Sequence, residues 1–211
     1  MRTDAEAREQ IIQITNELFS MGLLTPTGGN ISARAADPEL YWITPSRMYK
    51  GGLAEHDLVL IRPDGTVVEG TKTPSVEYQM HWASYQARPD ATAAVHTHAP
   101  VATAFGITNQ RFPPINTDAI FLADTQTVPW LMPGSKELAD AVGEALKRSR
   151  GAILQCHGLM TVGKTMRDAA TRAMMLEETA KILLYCRQFG GELTVIPPPW
   201  VEQLAPLADF I

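Results

Sequence analysis

Apolar positions along this chain change period several times, and each change marks an element. Ile11, Ile12, Ile14, Leu18 and Phe19 fall at helical spacing behind Thr3-Asp4-Ala5-Glu6, which reads as a capping box. A first helix is therefore predicted over residues 4–21, with Gly22 as its stop. Short apolar runs follow at Ile31 to Arg34, Leu40 to Ile43, Leu58 to Ile61 and, after the turn Pro63-Asp64-Gly65, Thr66 to Val68. Runs of this length bounded by turn residues read as strands, sequential and so antiparallel. Thr73-Pro74-Ser75-Val76-Glu77 then opens a helix, with Thr73 as cap and Pro74 in its first position, running to about Arg88 before Pro89.

The second half alternates in the same way. Ala94 to Pro100 reads as a strand and residues 99–105 as a short helix. Residues 109–134 are rich in Pro and polar groups, and their apolar stretch Ala119 to Ala123 fits strand or helix alike. Ser135 caps a helix of about residues 136–148, with Leu138, Val142 and Leu146 on one side. Gly151 to Cys156 and Leu159 to Val162 read as strands, and Thr165 begins a long helix to about Phe189, stopped by Gly190-Gly191. Its stripe Ala169, Ala173, Leu176, Ala180 and Leu183 is core, with Met174 and Met175 as gap-fillers. From about residue 192, through Pro197-Pro198-Pro199-Trp200, the tail is expected to be irregular.

Length changes the picture only by bounding it: 211 residues suit one domain spanning 1–211, burying roughly 70% of its unfolded surface. Eighteen basic residues scattered among 23 acidic ones, for a net charge of −5, give no broad basic face, so neither nucleic acid nor an anionic membrane is an expected partner. A small anionic substrate held by a few local groups remains open. The two cysteines, Cys156 and Cys186, have no paired-motif spacing, which points to a reducing compartment, with the cytoplasm as default. The first residues carry no apolar signal core, and no stretch approaches the ~20 apolar residues of a membrane span.

Candidate chemistry gathers at histidines. If residues 94–100 form a strand, His96 and His98 project from one face, which suits two imidazoles holding one ion; the alternative is two partly exposed histidines, or one core histidine with an accidental neighbour. His157 repeats their setting, an apolar strand running into a His and then a small residue. Three imidazoles at two strand ends can form an N3 site with a position left open, the pattern of catalytic zinc. Glu77, in a first helical turn where the dipole favours a carboxylate, is a fourth ligand, a base or only a helix-start residue. Gly28-Gly29-Asn30 either lets the backbone cradle an oxyanion or is an ordinary tight turn. His56 lies among polar residues and is read as solvated, His81 as structural or as orienting Glu77 one turn away, and Cys156 as core.

Thr27-Gly28-Gly29-Asn30-Ile31-Ser32, Ile43-Thr44-Pro45-Ser46, Pro74-Ser75-Val76-Glu77, His96-Thr97-His98-Ala99 and Gln155-Cys156-His157-Gly158 resemble, in order and spacing, the class II aldolase/adducin family over roughly residues 5–190. The resemblance implies a three-layer α/β/α fold around a central, mainly antiparallel sheet. It further implies that His96, His98 and His157 bind Zn2+, with Mn2+ or Co2+ as substitutes, and that Glu77 is the acid/base. A substrate phosphate would be held by Gly29, Asn30, Ser46 and Ser75, and the assembly would be a homotetramer with active sites at subunit contacts. Two departures from fuculose-phosphate aldolase stand out, Arg47 where that enzyme has Gly and Val76 where it has a second Ser. Arg47 offers a guanidinium to phosphate or carboxylate, or is a solvated loop residue. The implied activity is zinc-dependent aldol cleavage or formation on a small phosphorylated ketose through an enediolate. Decarboxylation of a sugar acid or keto acid ranks second, epimerisation third because epimerases carry Asp at position 77, and a non-catalytic adducin-like assembly domain last.

Overall fold

Unbroken apolar runs decide the architecture, because successive side chains of a strand point to opposite faces and both faces are then apolar. In the computed structural model, which describes residues 3–210, the chain runs α1 (Asp4–Ser20), β1 (Asn30–Arg34), β2 (Tyr41–Ile43), β3 (Val59–Ile61), β4 (Val67–Glu69), α2 (Tyr78–Ala87), β5 (Ala93–Thr97), α3 (Pro100–Ile107), α4 (Thr117–Phe121), β6 (Gln126–Val128), α5 (Lys136–Leu146), β7 (Gly151–Leu154), β8 (Gly158–Gly163), α6 (Met166–Phe189) and α7 (Pro198–Leu204). The strands form one sheet in the order β4-β3-β2-β1-β5-β8-β7-β6, antiparallel throughout except for the β6–β7 pair. On one face Ile31, Ala33, Trp42, Leu60, Val95, Ile153 and Leu159 pack with residues of α1, α3 and α6. Tyr41, Ile43, Val59, Ile61, Ala94, Ala152, Leu154, Met160 and Val162 point the other way, onto α2 and α5. Strands buried on both sides must be apolar at every position, which is the three-layer fold that the resemblance implied.

Most predicted elements stand within a residue or two, and the differences have local causes. Thr73 caps nothing: residues 73–75 lie extended against the loop after β2, with Ser46 N–H donating to the Thr73 carbonyl at 2.9 Å and Pro45 and Pro74 forming an antiparallel bridge. The helix therefore starts at Tyr78, with Glu77 as its N-cap residue rather than inside its first turn. Ala119 to Ala123 resolves as the helix α4, capped by the Asn116 side chain, and β6 follows it as an edge strand. The tail is irregular only to residue 197, after which Pro198 opens α7. Cys156 is exposed, not core: β7 ends at Leu154, which already pairs with Gly158, so Cys156 sits in the turn with φ +56° and strand alternation does not extend to it.

Candidate active site

Register brings the site together at one end of the central strands. Asn30, first residue of β1, pairs with His96 in β5, and His96 pairs in turn with Met160 in β8. His98 lies one residue past the end of β5, His157 in the β7–β8 turn and Glu77 at the start of α2. Three turns from distant parts of the chain thus empty into one place. Gly28 and Gly29 allow it. A Cβ on Gly28 would stand 2.6 Å from His98 Nδ1, and Gly29, at φ +82°, passes so close to Leu24 and the His96 carbonyl that no side chain fits.

The ligand nitrogens of His96, His98 and His157 lie within 4.8 Å of one another. His96 Nε2 and His98 Nε2 are 3.1 Å apart, close to the ~3.3 Å separation of two nitrogens on one tetrahedral zinc. His96 is fully buried, and its Nδ1–H donates to the Leu159 carbonyl at 2.7 Å, which fixes the tautomer and leaves the Nε2 lone pair facing its neighbours. Burial drives the His96 pKa down to about 4 and that of His98 down as well, so both are neutral, the form that ligates. Glu77 Oε2 is 3.3 Å from His96 Nε2, and Glu77 Oε1 is 3.3 Å from His157 Nε2. Burial works to raise the Glu77 carboxyl, but His96 and His157, the Asn30 amide and His81 together hold it below the usual carboxylate range. Oε1 is buried and accepts no hydrogen bond. A buried carboxylate oxygen without a donor, facing three imidazoles, is a costly arrangement that a divalent cation relieves. The donor set fits the expected metal.

All the other expected site residues converge beside this cluster. Gly29, Asn30, Ser46, Arg47, Ser75, Glu77 and His98 line one cavity of about 200 Å³. Larger cavities of about 320 and 440 Å³ lie elsewhere, one between α3 and α6, and none of the three histidines lines either. Two features escaped the sequence reading. Asn30 does more than line the cavity, since its amide Nδ2–H donates to Glu77 Oε2 at 2.8 Å. Lys50, which sequence reasoning passed over, also lines the cavity and is only 2% exposed. A lone lysine in a Gly-rich turn has no periodicity to announce its burial. His81 touches Asn30 rather than Glu77, with Nε2 at 2.5 Å from the Asn30 Oδ1.

The family model described as "Class II Aldolase and Adducin N-terminal domain" matches residues 9–184. The chain belongs to the class II aldolase/adducin family. It is 33% identical over 199 residues to the 5-deoxy-D-ribulose 1-phosphate aldolase of Bacillus thuringiensis serovar kurstaki, covering 94% of this chain and 93% of that one. It is 37% identical over 178 residues to the L-fuculose phosphate aldolase of Escherichia coli K12, covering 83% and 81%. Among solved structures, an L-fuculose 1-phosphate aldolase superimposes with a TM-score of 0.88 at 29% identity over 100% of this chain and 99% of its own. The L-fuculose-1-phosphate aldolase of Thermus thermophilus follows at 0.76 and 29%, over 90% and 100%. This chain is an enzyme of the class II aldolase type, built to act on a small molecule, and its family is metal-dependent. Among the described residues no helix is long and apolar enough to cross a membrane.

Proposed function

We propose that the protein is a zinc-dependent aldolase that cleaves or forms a carbon–carbon bond in a small phosphorylated ketose. The observation that carries this is the position of one carboxylate, Glu77, against three convergent imidazoles and beside a cavity lined with groups able to bind an anion. Zn2+ held by His96, His98 and His157, or Mn2+ or Co2+ in its place, would polarise the substrate carbonyl as a Lewis acid. Glu77 would remove the proton from the hydroxylated carbon next to that carbonyl in the synthetic direction and return it after cleavage. Asn30 occupies Oε2 with its amide hydrogen bond, so Oε1 is the oxygen free to take the proton. Ser46, Ser75 and the Gly29-Asn30 backbone would receive the phosphate.

Proton NMR in D2O tests this without knowledge of the aldehyde partner. With dihydroxyacetone phosphate, the signal next to the carbonyl should disappear in a metal-dependent manner, and Glu77→Gln should slow the loss at least about a hundredfold while keeping the metal. No exchange in metal-loaded protein would overturn the aldolase. Arg47 favours a second reading, decarboxylation of a keto acid, since a guanidinium lining the cavity pairs with a carboxylate as readily as with phosphate. CO2 release without aldol cleavage would establish it. Epimerisation ranks third, because position 77 is Glu. We further propose a cytoplasmic homotetramer with sites at subunit contacts, for which light scattering should return about four times the 23.1 kDa chain mass.

A further inference from the structure

Lys50 has no structural reason to be charged where it lies. It opens the short 3-10 turn Lys50–Gly52, pinned by its backbone N–H to the Pro26 carbonyl at 2.8 Å, and its side chain is buried. Its ammonium makes one hydrogen bond, to the Pro45 carbonyl at 3.1 Å, and among the described residues it forms no ion pair with a carboxylate. An ammonium carries three donors, and the Glu77 carboxylate on the same cavity acts on it from beyond ion-pair distance. If the lysine served only to tie Lys50–Gly52 to the Pro45 loop, an apolar side chain filling the same space would do so at less cost.

Its neighbours in the cavity indicate what is missing. Arg47, the Ser46 and Ser75 hydroxyls and the Gly28-Gly29 backbone share that lining, and most of these groups donate hydrogen bonds. Arg47 reaches the cavity from a left-handed backbone conformation, φ +57°, which non-glycine residues seldom adopt. A strained arginine and an unpaired buried lysine on one small cavity are complementary to a group with two negative charges.

We propose that Lys50 is the counter-charge for the anionic group of the substrate, and that it sets the enzyme's preference for a phosphorylated over a neutral ketose. This rests on the aldolase reading for the identity of the rest of the substrate, not for the anion. Burial lowers the Lys50 pKa to about 8, against the opposing pull of the Glu77 carboxylate, as fits a cation that awaits a partner. A neutral sugar bound in the same place would leave the ammonium unpaired, and unpaired buried polar groups are the strongest means of rejecting an analogue.

Titration calorimetry of metal-loaded protein with inorganic phosphate tests the assignment. Lys50→Met should weaken phosphate binding at least about tenfold, and Lys50→Arg should stay within about threefold of the unaltered protein, both with full metal content. The same K50M variant should raise KM for a phosphorylated ketose and lower KM for dihydroxyacetone, since it removes the unpaired ammonium that rejects the neutral sugar. Phosphate affinity within twofold of the unaltered protein in K50M would overturn the proposal. Should K50M fail to fold, 13C-labelled lysine in the unaltered protein decides. The Lys50 ε-methylene signal, assigned by its loss in K50R, should shift on adding phosphate, and an unmoved signal overturns the proposal. Phosphate binding that depends on Lys50 without any proton exchange would sink the aldolase reading and leave this one standing. Exchange that persists with phosphate affinity indifferent to Lys50 does the reverse.

Discussion

At the scale of single residues, the orientation of Glu77 depends on a buried chain of polar groups. Because the Asn30 amide nitrogen donates to Glu77, its Oδ1 must accept, so His81 donates from Nε2–H. His81 Nδ1 then accepts from the Ser32 hydroxyl at 2.7 Å, and Ser32 accepts from Tyr85 at 2.7 Å. The chain works only while His81 is neutral, and burial does drive its pKa down to about 3. A histidine whose folded pKa lies below its unfolded ~6.5 adds stability that is complete above pH 6.5 and drains away as pH falls toward 3. We expect His81→Leu to cost about 2–4 kcal/mol at pH 7.5 by leaving Asn30 and Ser32 without partners. It should lower kcat/KM by about ten- to a hundredfold with metal content retained. The stability gap should narrow by about 2 kcal/mol by pH 5, because only the unaltered protein pays to keep this imidazole neutral. Urea midpoints at the two pH values check both, and a pH-independent gap would contradict a neutral His81 in the folded protein. Sequence alone reached His81 as a group near Glu77 but not the link through Asn30, since that depends on β1 and α2 meeting.

At the scale of elements, the piece that holds His98 is the start of α3. Pro100 opens that helix, and the buried Glu177 of α6 accepts hydrogen bonds from the Val101 and Ala102 N–H groups at 3.0 and 2.9 Å. A carboxylate on free N–H donors at a helix N-terminus is stabilised by hydrogen bonding and dipole together. We expect Glu177→Ala to destabilise the fold by about 2–3 kcal/mol and to weaken metal binding by about tenfold, through a looser His98. Metal competition against a chelator reads the second effect; unchanged affinity would detach α3 from the site. The helical period of α6 was legible as a core stripe, and Ala169, Ala173, Leu176, Ala180 and Leu183 are all buried. Glu177 beside Leu176 was not, because a lone buried acid is recognisable only once its partner helix is in place. The start of α2 failed for a similar reason. Thr73-Pro74 is a sound helix opening locally, but the β2 loop claims its backbone first, and a contact between segments about thirty residues apart leaves no trace in local spacing. The histidines could be read because strand alternation and the turn after β7 are local, and the turn at Cys156 shows where alternation stops.

At the scale of the whole molecule, the candidate metal site binds together what the chain order keeps apart. Glu77 precedes α2 on one layer of the fold, His96 and His98 leave β5 at the centre of the sheet, and His157 sits in the β7–β8 turn. These groups converge only in the folded protein, so a metal ion that binds them stabilises the fold by linkage, by about 2.7 kcal/mol at a free concentration 100 times Kd. For a chain of 211 residues each kcal/mol moves Tm by about 2–4 °C. Zinc at that concentration should therefore raise Tm by about 5–10 °C over chelator-stripped protein. His96→Ala should abolish the rise together with turnover, since it removes the ligand whose lone pair the Leu159 carbonyl aims. Glu77→Gln should keep most of the rise and lose turnover, which separates holding the ion from moving the proton. A zinc-dependent shift that survives in H96A would place the ion somewhere other than this cluster.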